Sequence, residues 1–278
     1  MTTVGQGSRR TIRFAHTSMG AQADAGALGF TYPITRDWAW GGSTGRGVRV
    51  CIIDSGLDAE HPAVGGRAEQ YCVRQEIVDG IEGWSVVPDA EGDSAGHGTA
   101  CAGIIRSLAP DCDLVSVRVL GKNLQGNGEA LMAALKWAIE QRFPVVNLSL
   151  STRRQVFKER LHDMAEEAYF SGVTIVSSAH NRPVNSFPWR FSSVISVGSH
   201  GRSEPGYIEV NPTPPVEFFA AGVDIETARP GGGTSRVSGN SFATPHIAGW
   251  CARILQRHPS FRTAQLKHVL AAVADNLT

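Results

Sequence analysis

The chain has 278 residues, 42% hydrophobic and 19% charged, so it can bury a large core without a structural metal or a disulfide. Lysine plus arginine equals aspartate plus glutamate at 26 each, which excludes a protein built around a strongly basic nucleic-acid or membrane surface. Five cysteines (Cys51, Cys72, Cys101, Cys112 and Cys251) are odd in number and lack zinc-like spacing, and they read as free, mostly buried thiols of a reducing compartment.

Residues 1–26 are polar, small and aperiodic and read as a flexible leader, with residues 27–278 as one domain. Ser8-Arg9-Arg10-Thr11-Ile12-Arg13-Phe14 has a superficial twin-arginine look, yet no apolar segment follows it, so a standard export signal is not expected. No run approaches the length of a membrane span. From Tyr32 to Trp40 the pattern suggests a short ordered segment, closed by a glycine-rich turn over 41–47. Val48-Arg49-Val50-Cys51-Ile52-Ile53 then reads as a strand, and similar runs recur at 114–119, 145–150, 173–177 and 194–197. Most are continuously apolar, as strands covered on both faces of a parallel sheet are. Between them Leu131, Ala134, Leu135, Ala138 and Ile139 form one helical stripe, and Phe157, Leu161, Met164, Ala165 and Ala168 a second. Alternating strands and helices predict a single α/β domain with a mostly parallel sheet between helical layers.

In such a sheet, functional groups collect at strand C-terminal ends and at the helix N-termini that follow. Asp54 ends the first strand, where it is either a cap or turn residue or a functional acid; Asp58 reads as a turn residue. His97 stands between glycines ahead of a small-residue helix, with little to pack it and an ordinary pKa suited to a general base. His61, His180 and His246 are the alternatives, although His246 lies inside the helix that Ser241 begins and is expected to point away from that hydroxyl. Ser241, after Gly239-Asn240, sits where unpaired N–H groups favour developing negative charge, which is also an ordinary capping position.

Taken together, Asp54-Ser55-Gly56-Leu57-Asp58-x-x-His61-Pro62, His97-Gly98-Thr99-x-x-Ala102-Gly103 and Gly239-x-Ser241-x-Ala243-Thr244-Pro245-His246-x-Ala248-Gly249 resemble the signature blocks of subtilisin-like serine proteases, in the same Asp, His, Ser order. The resemblance runs from about Asp37 to the C-terminal helix. It implies a three-layer subtilisin-like α/β fold and an endopeptidase with Ser241 as nucleophile, His97 as general base and then acid, and Asp54 orienting the imidazole. It also implies Asn181 as side-chain oxyanion donor beside the Ser241 N–H. Ser149, Leu150 and Ser151 would pair with substrate main chain, facing a second edge at Leu124, Gln125 and Gly126.

The chain departs from the family pattern in several places. His180 replaces the usual glycine beside the pocket for the residue preceding the scissile bond; Asn240 and Phe242 flank the serine in place of threonine and methionine. Past His97 the helix passes through Ile104-Ile105-Arg106-Ser107 into Leu108-Ala109-Pro110 without the loop that holds a tight calcium in many members, and Ala63 stands where an acidic ligand would be. No metal and no cofactor are expected. The leader is short for a prodomain, so the chain folds unaided or uses an activating or inhibitory protein partner. The resulting expectation is a cytoplasmic protease with a restricted protein or peptide substrate, and no nucleic-acid or membrane partner. A peptide macrocyclase or transpeptidase using the same acyl-enzyme, and a catalytically silent peptide-binding scaffold, are the alternatives. Gly121-Lys122 to Gly126-Asn127-Gly128 has neither phosphate-loop nor dinucleotide spacing.

Overall fold

Arg49–Asp54, an apolar and β-branched run, forms β1 at the middle of the sheet. In the computed structural model, which describes residues 33–277 apart from 79, 80, 203 and 205, β1 runs parallel to β4 (Asp113–Arg118) on one side and to β5 (Val145–Leu148) on the other. The leader expected over residues 1–26 lies outside the described residues. Around this centre lie β2 (Ala68–Val78), β3 (Ile81–Pro88), β6 (Thr174–Ser178), β7 (Ile195–His200), β8 (Glu209–Val210) and β9 (Phe218–Ala221). The sheet order is β3-β2-β4-β1-β5-β6-β7-β9-β8, parallel except for the outer pairs β2/β3 and β8/β9. A separate antiparallel ribbon joins β10 (Ile225–Ala228) to β11 (Thr234–Val237).

Side chains alternate across a strand, and both faces are filled. Cys51, Ile53, Val115, Val117, Val146, Leu148 and Ile175 pack against Leu131, Leu135 and Ala138 of α3 (Gly128–Glu140) and Leu161 and Ala165 of α4 (Lys158–Ser171). The opposite face carries α2 (His97–Leu108) and α5 (Asn240–Arg257), which pack on each other and on the central strands, with the short α1 (Arg36–Trp40) against α5. Helices on both faces of a mostly parallel sheet make the three-layer α/β fold. Each fully buried aliphatic side chain contributes about 1.5–3 kcal/mol to holding the layers together.

Strand bounds differ from the sequence reading where polar contacts take over. β4 lies one residue earlier than the run 114–119, and β5 ends at Leu148 because Ser149 leaves the ladder to donate its hydroxyl to the Ser241 carbonyl oxygen at 2.7 Å. All five cysteines are free and buried. Burial pushes the Cys51 and Cys251 thiols far up, so they are inert packing groups. Among the described residues no helix is long and apolar enough to cross a membrane.

α2 continues without interruption to its C-cap at Ala109. Near that end Arg106, only 9% exposed, donates to the carbonyl oxygens of Val64 (3.1 Å), Arg67 (2.9 Å), Pro110 (2.9 Å) and Cys112 (2.5 Å). One guanidinium thus ties the loop after His61 to the turn between α2 and β4.

Candidate active site

β1 delivers Asp54, fully buried, to the C-terminal edge of the sheet. Its carboxylate accepts from the Ser55 N–H at 2.8 Å and faces His97 Nδ1, at 2.8 Å from Oδ1 and 2.9 Å from Oδ2. His97 is the first residue of α2, preceded by Gly96 at φ +84°, a left-handed conformation that glycine adopts without strain. Gly98 has to be glycine for another reason: a Cβ there would lie 1.8 Å from the Gly56 carbonyl oxygen. This close backbone approach sets the imidazole against the carboxylate.

Asp93, which the sequence reading passed over, clamps the same junction. Its Oδ1 accepts from Ser55 Oγ, Ala95 N and Gly96 N at 2.7, 3.0 and 2.7 Å, and its Oδ2 from Thr99 N and Oγ1 at 2.8 and 2.5 Å. The available signal was an acidic residue four positions before a helix start, where it complements the helix dipole.

On the other side of the imidazole, His97 Nε2 lies 2.9 Å from Ser241 Oγ. With Nδ1 donating to Asp54, Nε2 is the acceptor and the serine hydroxyl the donor. Ser241 stands in the first turn of α5, among the N–H groups a helix leaves unpaired. Its backbone is held by Ser149 Oγ, which in turn accepts from Asn147 Nδ2 at 3.0 Å. The Phe242 ring covers His97 with centroids 4.8 Å apart. Beneath the imidazole, Cys101 Sγ lies 3.9 Å from His97 Nδ1, 3.9 Å from Asp54 Oδ2 and 3.7 Å from the Ser241 carbonyl oxygen. Burial raises that thiol's pKa, so it stays protonated. For His97, burial disfavours the charged ring, but the Asp54 carboxylate outweighs it and holds the pKa well above the ordinary histidine value.

Asn181 follows β6. Its Oδ1 accepts from the Asn240 N–H at 2.9 Å, and a Cβ placed on Gly239 would lie 3.4 Å from both Asn181 Nδ2 and Ser241 Oγ. The amide donor and the hydroxyl therefore border one small space. His180 accepts at Nδ1 from the Arg182 N–H at 3.0 Å, which leaves the proton on Nε2, and it lines a cavity of about 410 Å³ with Asn181, Arg182, Trp189, Arg190 and Asn240.

The other expected binding residues divide. Leu124, Gly126, Leu150 and Ser151 border a cavity of about 230 Å³, whereas Ser149 is buried beneath Ser241. Gln125 turns its carbonyl back to accept from the Gly121 N–H at 2.9 Å, while Gly126 bridges to Leu120. The alternative histidines are engaged elsewhere. His61 pairs with the Gly233 carbonyl oxygen at 2.9 Å and accepts from the Ala63 N–H, and His246 is buried within α5. Asp58 accepts from the N–H groups of Glu60 and Gly231, as a turn residue does.

A carboxylate, an imidazole and a hydroxyl in series, with an amide donor alongside, suit attack of Ser241 on a carbonyl carbon. The model of the subtilase family matches residues 45–278. The chain belongs to the subtilase family. This subtilase is 30% identical over 254 residues to Subtilisin E of Bacillus subtilis (strain 168), covering 85% of this chain and 62% of that one. It is 32% identical over 238 residues to an intracellular serine protease of Paenibacillus polymyxa, covering 78% of this chain and 69% of that one. Among solved structures it is similar to a cold adapted subtilisin-like serine proteinase, with TM-score 0.66 and 29% identity over 84% of this chain and 86% of the other.

Proposed function

We propose that this subtilase is a serine endopeptidase that forms its acyl-enzyme on Ser241. The observation that carries this reading is the continuous contact from Asp54 through His97 to Ser241 Oγ. Ser241 Oγ attacks the peptide carbonyl carbon while its proton passes to His97 Nε2, and Asp54 holds the imidazolium through Nδ1–H. The carbonyl oxygen, now negative, accepts from Asn181 Nδ2 and the Ser241 N–H. His97 then returns the proton to the leaving amine. A water, deprotonated by the same imidazole, adds to the ester and frees the acid and the serine. Every proton is carried by residues of this chain.

Substrate main chain lies beside Ser149–Ser151 and the Leu124–Gly126 edge by strand addition. The substrate is a restricted protein or peptide, and the compartment is the cytoplasm. Five free buried thiols and the similarity to an intracellular serine protease support that placement. Neither peptide ligation nor a silent scaffold draws separate support from the geometry.

The test is hydrolysis of quenched fluorescent peptides by the full chain, with product masses recorded. Products carrying one added water are expected, with activity falling by about 10⁴-fold or more in Ser241→Ala and His97→Ala. Products lacking that water would point to ligation, and activity surviving Ser241→Ala would refute the assignment.

A further inference from the structure

Of the cavities that border the contacts just described, one of about 340 Å³ beside Gln125 and Gly126 holds Arg118, which is paired with Asp89 and Glu91. Three others are lined by cations that no carboxylate among the described residues pairs. Lys122 and Arg229 line the cavity of about 540 Å³ beside His97 and Phe242, and Arg154 the one of about 230 Å³ beside Leu150 and Ser151. Arg182, Arg190 and the Nε2–H of His180 face the one beside Asn181. Among the described residues the one carboxylate lining any of the three is Asp93, whose oxygens already accept from Ser55, Ala95, Gly96 and Thr99. No carboxylate among the described residues pairs with Lys122, Arg154, Arg182, Arg190 or Arg229; Arg190 donates to the Asn185 amide oxygen instead.

The chain as a whole is balanced at 26 cations and 26 anions, so this is an uneven distribution rather than a basic protein. Elsewhere the two signs are mixed and paired: in the groove between β3, α3 and α4, Glu129 meets Arg160 at 2.8 Å and Glu140 meets Lys136 at 3.8 Å, beside Asp163 and Glu167. Clefts lined by one sign of charge concentrate and orient the opposite sign. A neutral or basic peptide would bring these cations no opposite charge and gain nothing from the field.

We infer that the substrate is an acidic polypeptide segment, with carboxylate side chains on both sides of the bond that is cut. Lys122 and Arg229 meet those on the His97 side, and His180, Arg182 and Arg190 those on the Asn181 side. The inference rests on the hydrolytic reading and adds the substrate class. Each exposed ionic contact is worth up to about fivefold, so two or three engaged together give about tenfold or more in kcat/KM, diminishing as salt screens them.

The experiment uses the full chain, first titrated with a fluorophosphonate to count active serines. Quenched peptides of one length are then compared, with Glu, Gln or Lys flanking the scissile bond, at low and high sodium chloride. The expected order is Glu over Gln by about tenfold or more and Gln over Lys, with the Glu advantage collapsing at high salt. Lys122→Glu and Arg182→Glu, both at exposed positions, are expected to reduce kcat/KM more for the Glu peptide than for the Gln peptide. Equal or better turnover of Gln or Lys peptides by a fully titrating enzyme would overturn the acidic-substrate inference alone. Failure to titrate would instead remove the hydrolytic reading beneath it.

Discussion

The backbone N–H of Asn240 donates to Oδ1 of Asn181 at 2.9 Å, and that bond decides which end of the Asn181 amide faces Ser241. A backbone N–H needs an acceptor, so the oxygen is turned toward Asn240 and Nδ2 is left for the reacting carbonyl. Asn240 is itself fixed, accepting at Oδ1 from Ser199 N and Oγ at 2.9 and 2.8 Å. Asn181→Ala is therefore expected to lower kcat by about 10²–10³ with little change in KM, measured by steady-state kinetics on one peptide. A change confined to KM would contradict this role.

His97 must be neutral at Nε2 to accept the serine proton, and Asp54 holds its pKa well above the ordinary value of 6.5 against the opposing effect of burial. The sign follows directly: below that raised pKa the ring is charged and cannot accept a proton, so kcat/KM rises with pH through a midpoint above 6.5. Asp54→Asn removes the charge that raises it, and should move the midpoint down while kcat falls by about 10⁴. A wild-type midpoint at or below 6.5 would contradict the electrostatic account.

His246 behaves in the opposite sense. Burial, with a smaller contribution from the charge of His200, lowers its pKa from 6.5 to about 4, and neither ring nitrogen has a partner among the described residues. The unfolded chain therefore binds the proton first. Stability is intact above pH 6.5 and is lost as pH falls toward 4, by about 3 kcal/mol from this group. Urea denaturation at several pH values should show this loss, and His246→Gln should flatten it. An unchanged slope in the variant would remove His246 as its cause.

Arg106 donates to four carbonyl groups, the buried ones of Val64 and Cys112 and the partly buried ones of Arg67 and Pro110. Arg106→Leu is expected to cost about 3 kcal/mol or more, read as a lowered thermal midpoint. Because a guanidinium makes these contacts, a calcium chelator should leave the wild-type midpoint unchanged. A large drop on chelation would show that a metal shares the task.

Much of this architecture was legible because burial on both faces imprints continuous apolar runs, as in Val50-Cys51-Ile52-Ile53, and because the helical stripes through Leu131 and Leu161 have a clear period. The hairpin β2–β3 was passed over: Arg74, Gln75 and Glu76 are exposed and give an edge ribbon little apolar signal. β8 to β11, of two to four residues each, are too short to show any periodicity. Asp54, His97 and Ser241 could be singled out because each sits at a strand or helix end beside glycines or small residues. Their supporting contacts could not, since Asp93 and Ser149 act through long-range hydrogen bonds that no local pattern announces. The cation-lined cavities were equally hidden, because Lys122, Arg154, Arg182 and Arg229 are scattered along the chain and come to line cavities around the site only in three dimensions.

The central claim is that His97 activates Ser241 as a nucleophile. Intact-protein mass spectrometry after treatment with a fluorophosphonate tests it most directly, comparing wild type with Ser241→Ala. A single adduct on the wild type and none on the variant is the predicted result. A well-folded wild type that takes up no reagent, or a variant labelled equally, would contradict the account.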